Sequence, residues 1–228
     1  QLLINESPDF ETRDAYNIRL QTMDSGGLSL EKEFTIKAQG INEPPTEISL
    51  RTTEFQEDIP AGTMVTKLLT KDPDADDAFT YSLINGEEDD DNSIFYISDD
   101  QLLINTSPDF ETKDTYSVRL QVMDSGGLTL EKAFKLNVTD VNEAPSELAI
   151  SIATFEENIA ARSPIAVLSS SDPDVDESFS YSLVNGDGDT DNDSFLITND
   201  QLLINATPDF ETKKSYSIRL RVQNLGQL

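Results

Sequence analysis

The pentapeptide Gln-Leu-Leu-Ile-Asn occurs at residues 1, 101 and 201, and Pro-Asp-Phe-Glu-Thr follows it each time, at 8, 108 and 208. The spacing is 100 residues without slippage. Residues 1–28 match 101–128 at 22 of 28 positions, and 201–228 match them at 18 of 28. The other half of the unit repeats as well. Glu57-Asp58-Ile59 corresponds to Glu157-Asn158-Ile159, Asp72-Pro73-Asp74 to Asp172-Pro173-Asp174, and Tyr81-Ser82-Leu83 to Tyr181-Ser182-Leu183. A period this long exceeds a solenoid unit, which borrows its core from neighbours. It is the size of a small independent domain. A string of beads is therefore expected: the back half of one repeat (1–43), a whole repeat (44–143) and a third lacking its last strand (144–228). The joints fall at Asn42-Glu43-Pro44-Pro45 and Asn142-Glu143-Ala144-Pro145, where proline stiffens the chain. A chain that starts in mid-repeat reads most simply as part of a longer one.

Within a repeat the pattern is β. Tyr116, Val118, Leu120 and Val122 alternate with polar neighbours, which is the two-residue period of a half-buried strand. The same face recurs as Tyr16, Ile18, Leu20 and as Tyr216, Ile218, Leu220, Val222. Phe134, Leu136 and Val138 form another. Shorter strands are predicted at 47–51, 63–70, 79–84, 94–98 and 101–104. Turn signals separate them, among them Asn85-Gly86 and Asp124-Ser125-Gly126-Gly127. About seven short strands per hundred residues point to an all-β chain of tandem antiparallel Greek-key sandwiches of immunoglobulin-like type.

Composition narrows the chemistry. The chain has 44 Asp and Glu against 16 Lys and Arg, a net charge of −28, and neither Cys nor His. A nucleic-acid partner is excluded, because such proteins neutralise phosphates with bases. Thiolate and imidazole catalysis and Cys- or His-built metal sites are excluded with the residues themselves. No run of about 18 apolar residues offers a membrane span. The remaining ligands are carboxylates, amides and carbonyls, which suit hard cations, above all Ca²⁺.

The acids gather at turns and joints rather than along strand faces. In the middle repeat they are Glu57, Asp72, Asp74, Asp76, Asp77, Asp109, Glu111, Asp124, Asp140 and Glu143, with Asn142 among them. Their order is FQEDIPAGTMV, KDPD, YSL, PDFET, VMDSGG and NVTDVNEAP. That order resembles a cadherin repeat. No single element is specific; the ordered set, met more than once, is. The resemblance covers the whole chain and implies calcium held between consecutive repeats. Carried over by position, Glu57, Asp109, Glu111, Asp140 and Asn142 would be upstream ligands of the second joint, and Asp172 and Asp174 would close it. Asp9, Glu11, Asn42, Asp72, Asp74 and Asp124 would serve the first joint. Glu157 is the counterpart of Glu57 in the third repeat.

Several positions depart from the family pattern. Phe10, Phe110 and Phe210 stand where the family has Arg, and core packing is the expected role of these rings. The linkers are one residue short, with a Glu in place of Asp-Asn. Gly40 replaces Asp140, so fewer or weaker ions are expected at the first joint. Asn224 replaces Asp124, and Leu225-Gly226-Gln227 replaces Ser-Gly-Gly. The loop after Asp74 is short and lacks the family's Asn, for which Asp76 or Asp77 would substitute. These variants resemble large bacterial surface proteins more than animal cadherins. Two acidic loops, 87–92 and 187–193, lie outside the pattern. They read either as solvated tips or as holders of an extra ion, since the second has Asp-x-Asp-x-Asp spacing.

The resemblance implies an extracellular, cell-surface adhesion module stiffened by calcium. Its partners would be other copies of itself or a surface protein or glycan. The alternative is a passive spacer or filament subunit. Catalysis is not expected. Paired carboxylates can hydrolyse glycosides, but these recur in every repeat, at turns, with no Trp platform.

Overall fold

The computed structural model describes residues 1–75, 77–174, 178–224 and 226; Asp76, one of the two proposed substitute ligands, and Leu225 and Gln227 lie outside the described residues. The chain forms two compact units, Gln1–Thr139 and Asp140–Leu228.

The described residues of the first unit form ten strands. A hairpin of β1 (Ala15–Met23) and β2 (Ser29–Lys37) precedes a complete sandwich. Its strands are β3 (Glu47–Leu50), β4 (Glu54–Gln56), β5 (Met64–Lys71), β6 (Thr80–Leu83), β7 (Phe95–Ser98), β8 (Gln101–Ile104), β9 (Thr115–Met123) and β10 (Thr129–Thr139). One sheet has the order β3-β5-β8-β7 and the other β4-β10-β9-β6.

Alternation along β9 is realised as expected: Tyr116, Val118, Leu120 and Val122 are buried, with Ser117, Arg119 and Gln121 between them less so. They meet Ile48, Leu68, Phe95, Leu102 and Ile104 from the facing sheet. Phe55, Phe95 and Tyr116 form an aromatic triangle with centroids 5.6–6.5 Å apart. Edge-to-face pairs of this kind add roughly 0.5–1.5 kcal/mol each beyond burial. Phe110 packs against the same core, as expected of it, whereas Phe10 and Phe210 are exposed, at 41% and 53%, against the same expectation.

Two features differ from the sequence reading. The repeat has eight strands rather than seven, because the first is split at 51–53. Its halves, β3 and β4, join opposite sheets. The β4 half pairs with β10 in parallel, so the sandwich is not purely antiparallel. Neither feature carries a periodicity signal, since a three-residue strand is too short to alternate.

The second unit contains β11 (Glu147–Ile150), β12 (Pro164–Ser171), β13 (Ser180–Leu183), β14 (Phe195–Thr198), β15 (Gln201–Ile204) and β16 (Leu220–Gln223). The sheet β11-β12-β15-β14 reproduces its counterpart, and Phe155, Phe195 and Tyr216 rebuild the triangle. Among the described residues the facing sheet has β13 and β16. In the first unit β10 delivers Leu136 and Val138 to the core and pairs with β4 and β9. The 228 residues contain no counterpart of β10 in the third repeat. Of the strand predicted at 216–222, Leu220–Gln223 is formed. Phe155, Phe195, Leu202, Tyr216 and Ile218 line a groove of about 530 Å³.

The acidic loops are placed by their hydrogen bonds. Asp91 is buried and accepts from the Ser117 amide and the Lys113 ammonium; Asp191 accepts likewise from Ser217 and Lys213. Asp89 and Asp189 accept from the amides of Gly86 and Gly186. Among the described residues no metal-competent group of three acids falls in either loop. In 187–193, Asp189 and Asp191 bond to turn amides and to Lys213. The Lys213 hydrogen bond, then the Ser217 amide, hold the Asp191 carboxyl below its ordinary 3.8. A carboxylate depressed in the folded state stabilises it above the unfolded value and loses that contribution as pH falls through the lowered one. Asp191→Asn is therefore expected to be less stable than the parent at neutral pH. The gap should close in acid, as followed by circular dichroism during pH-dependent unfolding.

Candidate metal centre

Each acid is aimed by a turn. Asp124 follows β9, and the Asp-Ser-Gly-Gly turn folds back so that the Leu128 amide donates to its Oδ1 at 2.8 Å. Gly127 takes φ +89°, which a residue with a side chain adopts only at a cost. Gly126 faces the Asn42 carboxamide so closely that a Cβ there would collide with it. That lets Asn42 Nδ2 donate to Asp124 Oδ2 at 2.9 Å. After β5, Asp72 Oδ1 accepts from the Asp74 amide at 2.9 Å, an Asx turn. Asp74 Oδ2 accepts from the Glu43 amide at 2.8 Å, tying the linker to the loop.

Two acid groups converge here, each with oxygens within 4.8 Å of one another: Asp72, Asp77 and Asp124, and Glu11, Glu43 and Asp74. Asp77 is latched by Ser125, whose amide and hydroxyl both donate to its Oδ1. Its Oδ2 and that of Asp72 are buried without a hydrogen-bond partner. The Ser125 hydroxyl chiefly holds the Asp77 carboxyl below its ordinary range. Glu43 is pushed the other way, by burial first and then by the carboxylates of Glu11, Asp74 and Asp9. Asn42, Asp74, Asp77 and Ser125 border a polar cavity of about 330 Å³.

Asp9 stands apart in its bonding. Its oxygens accept from the Thr12 amide and hydroxyl at 2.9 and 2.8 Å, which lowers its carboxyl. Asp109 and Asp209 make the same turn with Thr112 and Thr212.

A third group lies at the far end of the first unit. Glu57, Asp109 and Glu111 converge within 4.8 Å. Glu57 is buried, and its Oε2 accepts from the Phe110 amide at 2.7 Å. The second unit repeats this as Glu157, Asp209 and Glu211, with the Phe210 amide donating to Glu157 at 2.9 Å. Asp209 and Glu211 were not among the expected ligands, although the 100-residue repeat places them opposite Asp109 and Glu111. Glu43 was likewise read only as a linker acid.

At the entry to the second unit, Asp174 Oδ2 accepts from the Glu143 amide at 2.9 Å, and Asp174 Oδ1 is buried without a partner. Asn142 Nδ2 donates to the Glu143 carbonyl. Asp172 Oδ1 accepts from the Asp174 amide. Asp140 is exposed on the segment after β10.

The donor sets are hard oxygens from loops and a linker, several buried without a hydrogen to accept. Ca²⁺ takes six to eight such oxygens in flexible geometry, whereas Mg²⁺ demands a tighter octahedron. At the first joint the residues fit calcium: Glu11, Glu43 and Asp74 would hold it on one side and Asp72, Asp77 and Asp124 on the other.

No family model matches the chain. Human Cadherin-8 is 29% identical over 95% of this chain, human Cadherin-12 is 31% identical over 96%, and chicken Cadherin-7 is 28% identical over 95%. The chain spans about 30% of the length of each. Among solved structures, Protocadherin Gamma B7 extracellular cadherin domains 1–4 align with a TM-score of 0.63 at 19% identity, over 98% of this chain and 57% of that one. The human Desmocollin-1 ectodomain aligns with a TM-score of 0.59 at 19% identity, over 96% and 45%. The relatives are animal proteins, and the expected bacterial likeness finds no support in them. The departures that suggested it are filled locally: Asp77 is latched by Ser125, and the backbone amide of Phe110 bonds to Glu57. In fold the chain matches cadherin extracellular domains, and in sequence it is similar to animal cadherins.

Proposed function

We propose that the chain is a calcium-binding, cell-surface adhesion region whose repeats are stiffened by ions at their joints, with repeat boundaries at 43/44 and 143/144. The observation that carries this reading is the pair of buried, unpartnered oxygens of Asp72 and Asp77 beside Asp124 at the first joint. A carboxylate oxygen buried without a hydrogen-bond partner is costly unless a cation offsets it. Glu57, Asp109, Glu111, Asp140 and Asn142, with Asp172 and Asp174, would serve the second joint in the same way. Ordering a joint becomes favourable only once its carboxylates are neutralised, so ion binding and stiffening are one event. The relatives named above are all cadherins, which favours adhesion over catalysis. Partners are then other copies of the chain or a surface protein or glycan.

Small-angle scattering tests the stiffening. Calcium is expected to narrow the distribution of shapes and lengthen the maximum dimension relative to chelator. An unchanged profile overturns the reading.

The 22-of-28 identity between copies favours a second reading, a spacer without an adhesive face. Binding of this region to cells or glycans would decide against it.

A further inference from the structure

The loops after β6 and β13 carry a chemically labile pair. Asn85-Gly86 and Asn185-Gly186 are exposed and occupy the same place in the middle and third repeats. Asparagine is thermolabile, and most so before glycine, because no Cβ screens the glycine nitrogen from the asparagine side chain. The glycine is fixed by its surroundings. A Cβ at residue 86 would lie 2.7 Å from Arg119 Cδ and Nε, and one at residue 186 would lie 3.1 Å from Arg219 Nε on a backbone with φ +143°. Arg119 is itself tied to the Glu87 carbonyl at 3.3 Å and to Glu131 at 3.1 Å. A bulkier neighbour, the simplest protection for an asparagine, is thus closed to both loops.

The nitrogen that would attack is engaged instead. The Gly86 amide donates to Asp89 Oδ2 at 2.9 Å, and the Gly186 amide to Asp189 Oδ2 at 3.0 Å. The chain before each asparagine is held as well. The Ile84 amide donates to the Arg119 carbonyl at 3.0 Å, and the Ile84 carbonyl accepts from Asn92 Nδ2 at 2.8 Å. Val184 makes the same two bonds, with Arg219 and Asn192. We propose that Asn85 and Asn185 are latent deamidation sites and that Asp89 and Asp189 hold them shut. The two acidic loops then have a role of their own, independent of the calcium reading.

In the guarded reaction Gly86 N bonds to Asn85 Cγ while the Cγ–Nδ2 bond breaks. The Gly86 proton ends on the departing nitrogen, which leaves as ammonia. Water then opens the cyclic imide at either carbonyl and leaves aspartate or isoaspartate at residue 85. Asp89 opposes the first step in two ways. Its hydrogen bond stabilises the protonated nitrogen. Its charge, with Glu87, Glu88 and Asp90 beside it in the chain, disfavours the amide anion that attacks. Asp89 is thus a positioning residue, and Asp189 is its counterpart.

The test incubates the whole 228-residue chain at neutral pH and follows deamidation and isoaspartate at each Asn-Gly pair by peptide mapping with mass spectrometry. D89A is expected to speed the loss of Asn85 about tenfold, the worth of a charge-assisted hydrogen bond. Asn185 in the same molecules should keep its parental rate, and D189A should reverse the pattern. D89N keeps an acceptor oxygen and should fall between D89A and the parent. D90A, which removes a neighbouring charge and not the bond, should change the rate far less than D89A. An unchanged rate at Asn85 in D89A overturns the inference. So does an equal acceleration at both pairs, which would mark general loosening of the fold. Parental rates matching those of unstructured peptides spanning 81–91 and 181–191 would also overturn it.

Discussion

Calcium is expected to raise the melting temperature of the apo chain by about 5–10 °C per occupied site once free calcium reaches a hundredfold excess over the dissociation constant. The estimate comes from mass action. A ligand that binds only the folded form at that excess adds about 2.7 kcal/mol. In a chain of this length each kcal/mol moves the midpoint by roughly 2–4 °C. The structural reason is that the joint acids are assembled in the folded state at a cost. Glu43, crowded by Glu11, Asp74 and Asp9, is held above its ordinary value. Simple screening would relieve part of that repulsion. The deciding comparison is therefore calcium against sodium chloride at equal ionic strength, with magnesium as a third arm. Calcium should exceed both, because scattered loop oxygens suit its larger, flexible shell. Equal shifts in all three salts would reduce the effect to screening and remove the metal centre. The net charge of −28 would fall by two for each ion bound.

How far a sequence can be read depends on whether the determining contacts are near or far along the chain. The face of β9 was readable because burial alternates with residue number, and Tyr116 to Val122 obey it. The acidic turns were readable in outline because turn-forming acids recur in order along the repeat. Asp77 is held by Ser125, 48 residues away, a contact that local sequence does not display. The acidic loops resisted for the same reason: Asp91 is claimed by Lys113 and Ser117 across the sandwich. Both oxygens of Asp9 accept from Thr12 three residues on, the same turn that Asp109 makes with Thr112. The split of the first strand is likewise set by distant partners, β5 for one half and β10 for the other.

The sharpest case is the motif that repeats most faithfully, and it supplies the second large effect. Leu2, Leu102 and Leu202 occupy one position of Gln-Leu-Leu-Ile-Asn, and their exposures are 59%, 0% and 1%. Leu102 lies on β8 between β5 and β7, under a second sheet completed by β10. Leu102→Ala removes a fully enclosed side chain whose surroundings cannot collapse, and is expected to cost about 3–5 kcal/mol. Leu202 has the same sheet neighbours but borders the 530 Å³ groove on its other side. There the wall can relax and the void is shared with space already empty, so the cost should be nearer the transfer contribution, about 2–3 kcal/mol. Leu2 is on no strand, and Leu2→Ala should change stability by less than about 0.5 kcal/mol. Hydrogen exchange read peptide by peptide separates the two units and so assigns each loss to its own repeat. Three equal costs would mean that the repeats are equally packed, against the exposures above. The expected order, Leu102 above Leu202 above Leu2, would show that identical segments draw their structure from partners outside themselves. A strand's hydrogen bonds and half its core are supplied by residues tens of positions away. Residues 1–4 have no such partners among the 228, and the same letters there remain unpaired.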